Sequence, residues 1–508
     1  MVRVALPILA VLVIAGVALA LVDRPRPAAP AGKSPAGTAA TSTTRVPTAG
    51  APSTTQPVAQ TLDVDVLIYG TQTSGLAALR ELEIGSPTSS VALVSDQQGL
   101  ESPLAQGLCV EDRYPATPIM GFYKEWRDRV IAQYRAEGKA IIAPEGRLSY
   151  EPAVAREALE GLIDGAVPRP LILVGQLVSA SDKSSPRYAL GKTETGSLIQ
   201  VNAKYFIDAS VEADLARMLG ADYRIGNTET IYNDAAGRQP APPSRQNSFD
   251  TAPQKMATLL TLKMFSGSVA PLVSAFRSPY YDPASYDPAA MNAEGIAARF
   301  ARSWTMEIGV LPDAERELNE SWNDWPDDQA AFAWVFHPEE RKAIYREVLT
   351  RSLNLVRYLQ EHGYPHLGVA EVPGLPYVRE GPRVVGLATY TSAEVAGGAS
   401  DQSIAVGLYA RFDRHQNVAP TFSPAPTTVH VPMGAIMAAG HPWLLVSTAI
   451  SADDGAYCTA VRMEPTRANL GGAAGIMTSL AIRRGVPPGE LAYGDVLPEL
   501  TARGYSVK

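Results

Sequence analysis

The segment Val64-Asp65-Val66-Leu67-Ile68-Tyr69 runs directly into Gly70-Thr71-Gln72-Thr73-Ser74-Gly75, and then into a helical run from Leu76 to Gly85. A mostly apolar strand, a turn bounded by two glycines and a helix, in that order, make the first half of a βαβ unit. No other stretch constrains the fold as much. Val91-Ala92-Leu93-Val94-Ser95 supplies the second strand and ends at Asp96. In such a unit the helix begins with unpaired N–H groups at the positive end of its dipole, and a pyrophosphate seated there is stabilised. An acidic residue ending the second strand accepts ribose hydroxyls. Asp96 falls somewhat beyond the usual spacing, and the loop Gly85 to Ser90 absorbs the excess. Gln72 stands where the middle glycine of the dinucleotide fingerprint allows close approach. The local pattern therefore fits a dinucleotide site and equally a plain βαβ core element.

With 508 residues, 46% of them hydrophobic, the chain can bury a large core and divide into two lobes. Its 44 Lys+Arg against 52 Asp+Glu leave a net charge of -8, so no basic surplus exists for a nucleic-acid backbone and nucleic acid is excluded as a partner. Two cysteines, Cys109 and Cys458, exclude a disulfide-dense scaffold and all-cysteine zinc or iron–sulfur centres, while admitting either one bridge or two free thiols. Six histidines without a His/Cys cluster predict no metal centre.

The N-terminus starts basic at Arg3 and carries no charge from residue 4 to residue 22. That length is at the low edge of the roughly 20 residues a membrane span needs, and Ala18-Leu19-Ala20 offers a small-x-small cleavage site. Residues 1–24 are predicted as a signal peptide or membrane anchor, and 25–60, nearly all Pro, Ala, Gly, Ser and Thr, as a disordered linker. The folded body is thereby expected outside the cytoplasm, secreted or anchored to the membrane by its N-terminus.

Residues 61–225 read as the first part of the dinucleotide lobe, with helices over 120–140 and 152–163 and a small antiparallel insertion between 170 and 208. Asp208 and Ser210 then lie at a strand end, where parallel sheets present ligands. Residues 226–375 read as a helical, loop-rich substrate lobe with Trp304, Trp322, Trp325 and Trp334, helical patterns near 254–265 and 292–303, and a helix over 338–361. Such tryptophans line a pocket or pack a core. Residues 376–508 return to the first lobe. There a strand, Trp443 to Val446, and a polar loop precede a helix over 466–482 with Ala468, Gly471, Gly472, Ala474 and Gly475. So little side-chain bulk lets the helix approach a flat cofactor or another backbone.

The order of these motifs from about residue 63 to residue 500 resembles the FAD-dependent oxidoreductase family with a glutathione-reductase-like flavin fold, of the xanthan-lyase-associated type. The resemblance is carried by the Gly70/Gly75 turn, Glu151-Pro152, Tyr205 to Ser210 with Asp214, Arg379-Glu380 with Arg383, Asp401 with Ser403 to Gly407, and the block from Ser451 to Gly475. It implies an α/β fold: a Rossmann-like FAD-binding domain (βαβ with a parallel sheet) and an additional mixed β and helical substrate lobe. It implies non-covalent FAD, with its pyrophosphate on Gly70, Thr71, Gln72 and Gly75 and its ribose at Asp96. The ring is then expected near the segment after Gly99 and the helix starting near Thr466, with Arg462 and Gly471, Gly472, Ala473 and Ala474 close to it.

The implied activity is hydride removal from a small organic or carbohydrate-like substrate, with Asp453, Asp454 and Tyr457 as proton acceptors or orienting groups and an electron acceptor that the residues do not specify. Arg379 and Arg383 read as sheet braces paired with carboxylates such as Glu380. The chain departs from the family pattern at Gln72, at Glu101-Ser102 in place of glycines, at Val211 and Ala213, at Ser447-Thr448 in place of Gly-Arg, and at Asp453-Asp454 in place of His-Glu. These departures motivate the alternative of a non-catalytic exported binding protein on a degenerate flavoprotein fold.

Overall fold

The computed structural model describes residues 57–141, 146–166, 169–243, 251–265, 311–312, 315–319, 323–325, 328–398, 400–415 and 421–507. The predicted signal or anchor, most of the predicted linker, Trp304, Trp322 and the helical pattern at 292–303 lie outside them. Among the described residues no helix is long and apolar enough to cross a membrane. The expectations of a membrane tether and of a secreted or anchored body are corrected on that finding: they rested on residues 1–24 and the linker that follows, nearly all of it outside the described residues.

The core is a seven-stranded mixed sheet built on β1 (Val58–Tyr69). After β1 come α1 (Thr73–Gly85), β2 (Val91–Ser95), α2 (Gly121–Glu137), α3 (Pro152–Asp164) and β3 (Leu171–Val174). The antiparallel insertion is β4 (Gln176–Ser181), β5 (Tyr188–Lys192) and the lower half of β6 (Leu198–Asp208). β1 pairs in parallel with β2 and with β6, and β2 pairs in parallel with β3. β1 begins inside the predicted linker of 25–60, because Val58 and Gln60 already pair with Leu198 and Ile199.

Both faces of this sheet are covered here, which is why β1 is apolar and buried throughout its last four residues, Val66 to Tyr69, rather than alternating. Val66 and Ile68 point into the core beneath α1, while Leu67 and Tyr69 point into a second core with Phe206 and Ala216. Ala216 belongs to α4 (Asp214–Leu219), which follows β6 directly.

The additional lobe has a three-stranded antiparallel sheet, β7 (Thr261–Met264), β8 (Arg316–Glu317) and β9 (Leu367–Glu371), with α5 (Asp328–Phe336) and α6 (Arg341–Glu361). Leu349, Leu355, Val356 and Leu359 of α6 pack on Leu262 and Leu367 of that sheet. Of the described tryptophans there, Trp325 and Trp334 are buried in a cluster with Met256 and Val348, and Trp334 also borders a small cavity.

The chain then forms α7 (Ser392–Gly397), a long hairpin of β10 (Ser403–Arg414) and β11 (Thr421–Pro432), and β12 (Leu444–Val446), which joins the main sheet parallel to β6. The short helix α8 (Asp454–Tyr457), the long α9 (Glu464–Arg484) and α10 (Tyr493–Ala502) complete it. Every residue of α9 from Glu464 to Ala481 is buried. Cys109 and Cys458 are both free, buried thiols, so the option of a bridge is closed.

Candidate functional site

Gly70 leaves β1 with φ 100°, a region that side chains rarely enter, and a Cβ there would stand 2.8 Å from the Ser210 nitrogen. Gly75 lies directly beneath the Gly70 carbonyl, so the turn closes only with glycine at both ends. Gln72 is the N-cap of α1 with extended backbone and makes no side-chain cap bond. Its Oε1 is buried without a hydrogen-bond partner.

The Thr71 N–H, which points out of this turn, donates to Glu101 Oε2 at 2.8 Å. In return the Glu101 N–H donates to Thr71 Oγ1 at 2.9 Å, and Ser95 Oγ donates to Glu101 Oε1 at 2.5 Å. Burial first, and then the nearby charge of Asp96, push the Glu101 carboxyl up to about 8, against the pull of its bond from Ser95. Asp96 is held from the other lobe: Arg341 Nη1 lies 2.5 Å from its carboxylate and 2.7 Å from that of Asp214. Burial raises the Asp96 carboxyl more than Arg341 lowers it.

Two cavities adjoin the turn. One, of about 240 Å³, lies between Thr71, Ser95, Gln97 and Gly99 on one side and Leu93, Leu100, Ile163, Ile172 and Leu173 on the other. The second, about 20 Å³, is bounded by Gln72, Asp96, Glu101, Glu212, Trp334, Arg341 and Tyr377. Sites for whole ligands usually measure ~300–1,000 Å³. The first therefore has room for a nucleobase-sized ring, and the second is filled by the side chains that line it.

α9 crosses α1 at backbone contact. A Cβ at Gly471 would overlap the Ser74 backbone, one at Gly475 the Ala78 carbonyl, and one at Gly472 the Tyr505 hydroxyl. Ala473 and Ala474 are fully buried in the same helix. Packing accounts for these small residues, and it carries the first turn of α9 onto the first turn of α1, where the Thr73 hydroxyl bonds Glu464 and, at 2.7 Å, Ser102. Ser447 and Thr448, just past β12, bond Ser74 Oγ at 3.1 and 2.5 Å.

Arg462, just before α9, is buried and paired with Asp413. Asp413 is followed by a chain of charge: His415 Nε2 at 3.3 Å, Asp324 at 2.6 Å from His415 Nδ1, and Arg379 at 2.9 Å from Asp324. Burial alone would raise the Asp413 carboxyl, but Arg462 and His415 hold it well below the usual carboxylate range. Arg379 lies over the Tyr377 ring, which links this chain to the smaller cavity.

The predicted proton acceptors are engaged within the fold. Asp453 caps α8 through the Ala456 N–H at 2.7 Å and holds Ser392 N and Oγ, each at 2.8 Å. Asp454 pairs with Arg414. The Tyr457 hydroxyl accepts from Arg467 at 3.5 Å, and burial raises its pKa against the pull of that guanidinium. Glu380, Asp454 and Cys458 converge closely enough to suggest a cation site, yet the Arg383 and Arg414 guanidinium groups already supply positive charge there.

The structure thus brings Gly70, Thr71, Gln72, Gly75, Asp96 and the start of α9 to one place, while Asp453 belongs to the α7–α8 contact. Sequence reasoning missed Arg341, Asp413 and Asp324 as parts of the site. Arg341 is separated by 245 positions from Asp96 and sits in a segment with an ordinary helical pattern, so no local signal marks it.

The strand–turn–helix at β1, the acidic end of β2 and the return of α9 fall within one continuous match: residues 65–500 match the family of FAD dependent oxidoreductases. The chain belongs to that family. No curated protein matches it. Among solved structures it is similar to L-proline dehydrogenase from P. horikoshii at 18% identity, covering 34% of this chain and 26% of that one, with a TM-score of 0.20. It is also similar to adenylylsulfate reductase from Archaeoglobus fulgidus at 14% identity, 88% and 73% coverage and a TM-score of 0.32. A third is the E. coli quinol fumarate reductase, at 12% identity, 88% and 74% coverage and 0.33. The chain spans about a quarter of the length of the proline dehydrogenase, and no conclusion about substrate or mechanism follows from likenesses at these scores.

Family membership gives the chain the general catalytic potential of FAD-dependent oxidoreductases and suggests FAD as its cofactor. The residues at the turn fit the phosphate–adenosine end of that group: a backbone donor already holds a carboxyl oxygen, an acidic side chain ends β2, and a ring-sized cavity lies alongside.

Proposed function

We propose that this protein is a FAD-dependent oxidoreductase that removes a hydride from a small organic or carbohydrate-like substrate. The observation that carries the proposal is the Thr71 N–H, which holds a carboxyl oxygen beside a cavity of about 240 Å³ in a chain of this family. Gly70, Thr71, Gln72 and Gly75 would receive the pyrophosphate, and Asp96, shared with Arg341, the ribose. When bound, FAD supplies the hydride acceptor.

The chain's own part is binding, orientation and proton handling. Arg462, fixed by Asp413, places a permanent positive charge before α9. In this reading Gly471, Gly472, Ala473 and Ala474 act by letting α9 reach α1. Asp454 and Tyr457 are the proposed proton-handling groups, held by Arg414 and Arg467, and Asp453 positions the loop that carries them. The subtype, glutathione-reductase-like and associated with xanthan lyases, is proposed from motif order alone.

A visible spectrum of the purified protein tests this. A flavin band that bleaches when sugars, alcohols or amines are added identifies the electron donor class. The second reading, a non-catalytic binding protein on the flavoprotein fold, is favoured by the side chains of Glu101 and Arg341 standing in the site. Folded protein that stays colourless and takes up no FAD would establish that reading and end the first.

A further inference from the structure

We propose that Glu101 is an internal ligand of the dinucleotide turn, its carboxyl occupying the place on the Thr71 N–H that a cofactor phosphate takes, so that FAD enters only after this side chain leaves. The inference rests on the proposed function and adds to it a competitor built into the chain.

A backbone N–H has one proton to donate, and the one at Thr71 is committed to Glu101 Oε2 at 2.8 Å. The same carboxyl takes the Ser95 hydroxyl at 2.5 Å, and the Glu101 backbone is tied back to Thr71 Oγ1 at 2.9 Å. The attachment is therefore two-sided and specific rather than a chance approach. Next to it, the buried Gln72 Oε1 has no donor. It borders the same small cavity as Glu101 and presents a lone acceptor where a phosphate would bring more acceptors.

The charges facing Glu101 come from three elements. Asp96 ends β2, Glu212 and Asp214 stand at the start of α4, and Arg341 starts α6 as the balancing cation. A diphosphate added to this set with Glu101 in place would meet a carboxyl on its donor and a surplus of acid around it. Departure of Glu101 frees the Thr71 N–H and the Ser95 hydroxyl together and removes one acid from the set. Burial is the main reason the Glu101 carboxyl is raised, and the nearby charges of Asp96 and, less, Glu212 add to it.

The test is a titration of the full chain with FAD, followed by quenching of flavin fluorescence, for the native protein, Glu101→Gln and Glu101→Ala, each checked for fold by circular dichroism and thermal melting. Glu101→Gln preserves an acceptor for Thr71 and a partner for Ser95, so it folds even if the alanine variant does not. The expected result is FAD affinity at least tenfold higher in Glu101→Ala than in the native chain, with Glu101→Gln between them, and the same order for ADP, which carries only the adenosine diphosphate end. Equal or weaker binding by folded Glu101→Ala overturns the proposal. If the native protein already binds FAD tightly and neither variant differs, the internal ligand is excluded while the oxidoreductase reading stands. If none of the three folded proteins binds FAD, both fall.

Discussion

Two contacts of one helix, α1, its seam with α9 and the turn before it, are built on opposite principles. From Ser74 to Ala78 α1 meets α9 through Gly471 and Gly475, a close contact in which backbone touches backbone. At its N-terminus, a few ångströms of chain away, the turn is lined by Glu101, Asp96, Glu212 and Gln72, with Arg341 reaching in from the other lobe. The first contact is fixed by shape and tolerates no addition. The second is held by exchangeable polar partners, and such a region can be re-ligated without unfolding the rest. A ligand site on this scaffold belongs at the turn for that reason, and substitutions in the two places should fail differently.

The largest effect is expected from Arg341→Ala. Its guanidinium is 3% exposed and pairs with Asp96 and Asp214, so removal leaves two carboxylates in a poorly solvated site. Breaking a buried pair from one side costs about 3 kcal/mol. Urea unfolding should register that loss, and it should shrink at acidic pH where the carboxylates protonate. Insensitivity to pH would mean that packing against Trp334, not charge, is what Arg341 provides.

Gly471→Ala should cost about 2 kcal/mol, because its Cβ meets rigid backbone at Ser74 and overpacking of that kind is relieved only by moving α9. Gly472→Ala meets the Tyr505 hydroxyl, the movable end of a side chain, and should cost less than half as much. The Gly471→Ala loss, set by backbone contact, should not change with pH. Equal losses at the two positions would show that α9 shifts as a unit and that the seam is softer than its geometry implies.

These contrasts also explain what the sequence disclosed. The turn at Gly70 to Gly75 is legible because a strand, two glycines and a helix are local and their order has few meanings. The small residues of α9 were legible as a demand for close approach, but not as to what approaches, since a flavin ring and the backbone of α1 both require it. Glu101 was visible as a departure from the family pattern, whereas its bond to Thr71 depends on how the loop after β2 folds back. Arg341 was not visible, because its partners come from β2 and α4 far along the chain. The hairpin β10–β11 escaped for a different reason: Pro424, Pro426 and Pro432 in its second strand argue against a strand, yet they sit in a two-stranded ribbon that leaves one edge unpaired.

A pH series sharpens the comparison further. Glu101 is raised to about 8 and Asp208, buried at the end of β6, to about 7. In both cases burial is the main cause, opposed by hydrogen bonds from Ser95 and Ser210 respectively. A carboxyl whose folded pKa lies above its unfolded value binds more protons folded than unfolded. Its stabilising contribution is complete below about 4 and is lost as pH rises through 7 to 8. The melting temperature of the native chain should therefore fall between pH 5 and pH 8.5. In Glu101→Gln the loss of stability should be shallower by up to about 1.4 kcal/mol per pH unit between pH 5 and 7, the limit for one proton, and the difference in slope should fade above pH 8. Parallel curves for native and variant would place the titration elsewhere and leave Glu101 charged throughout.

The smallest expected change is a gain. Ala213 adopts φ 53°, unlike any other described residue that is not glycine, at the N-cap of α4. A side chain in that region costs about 1 kcal/mol relative to an extended or right-handed conformation, and glycine escapes the cost. Ala213→Gly should raise stability by a few tenths of a kcal/mol after glycine's greater freedom in the unfolded chain is set against the relief. The strain is local to the turn that carries Glu212 and Asp214 toward Arg341, so relief should also loosen that acidic set. A variant that gains stability while binding FAD no better would show that the strain serves only the chain path. One that gains stability and loses FAD affinity would show that the left-handed alanine holds α4 where the ligand needs it, which a close seam such as α1–α9 has no reason to do.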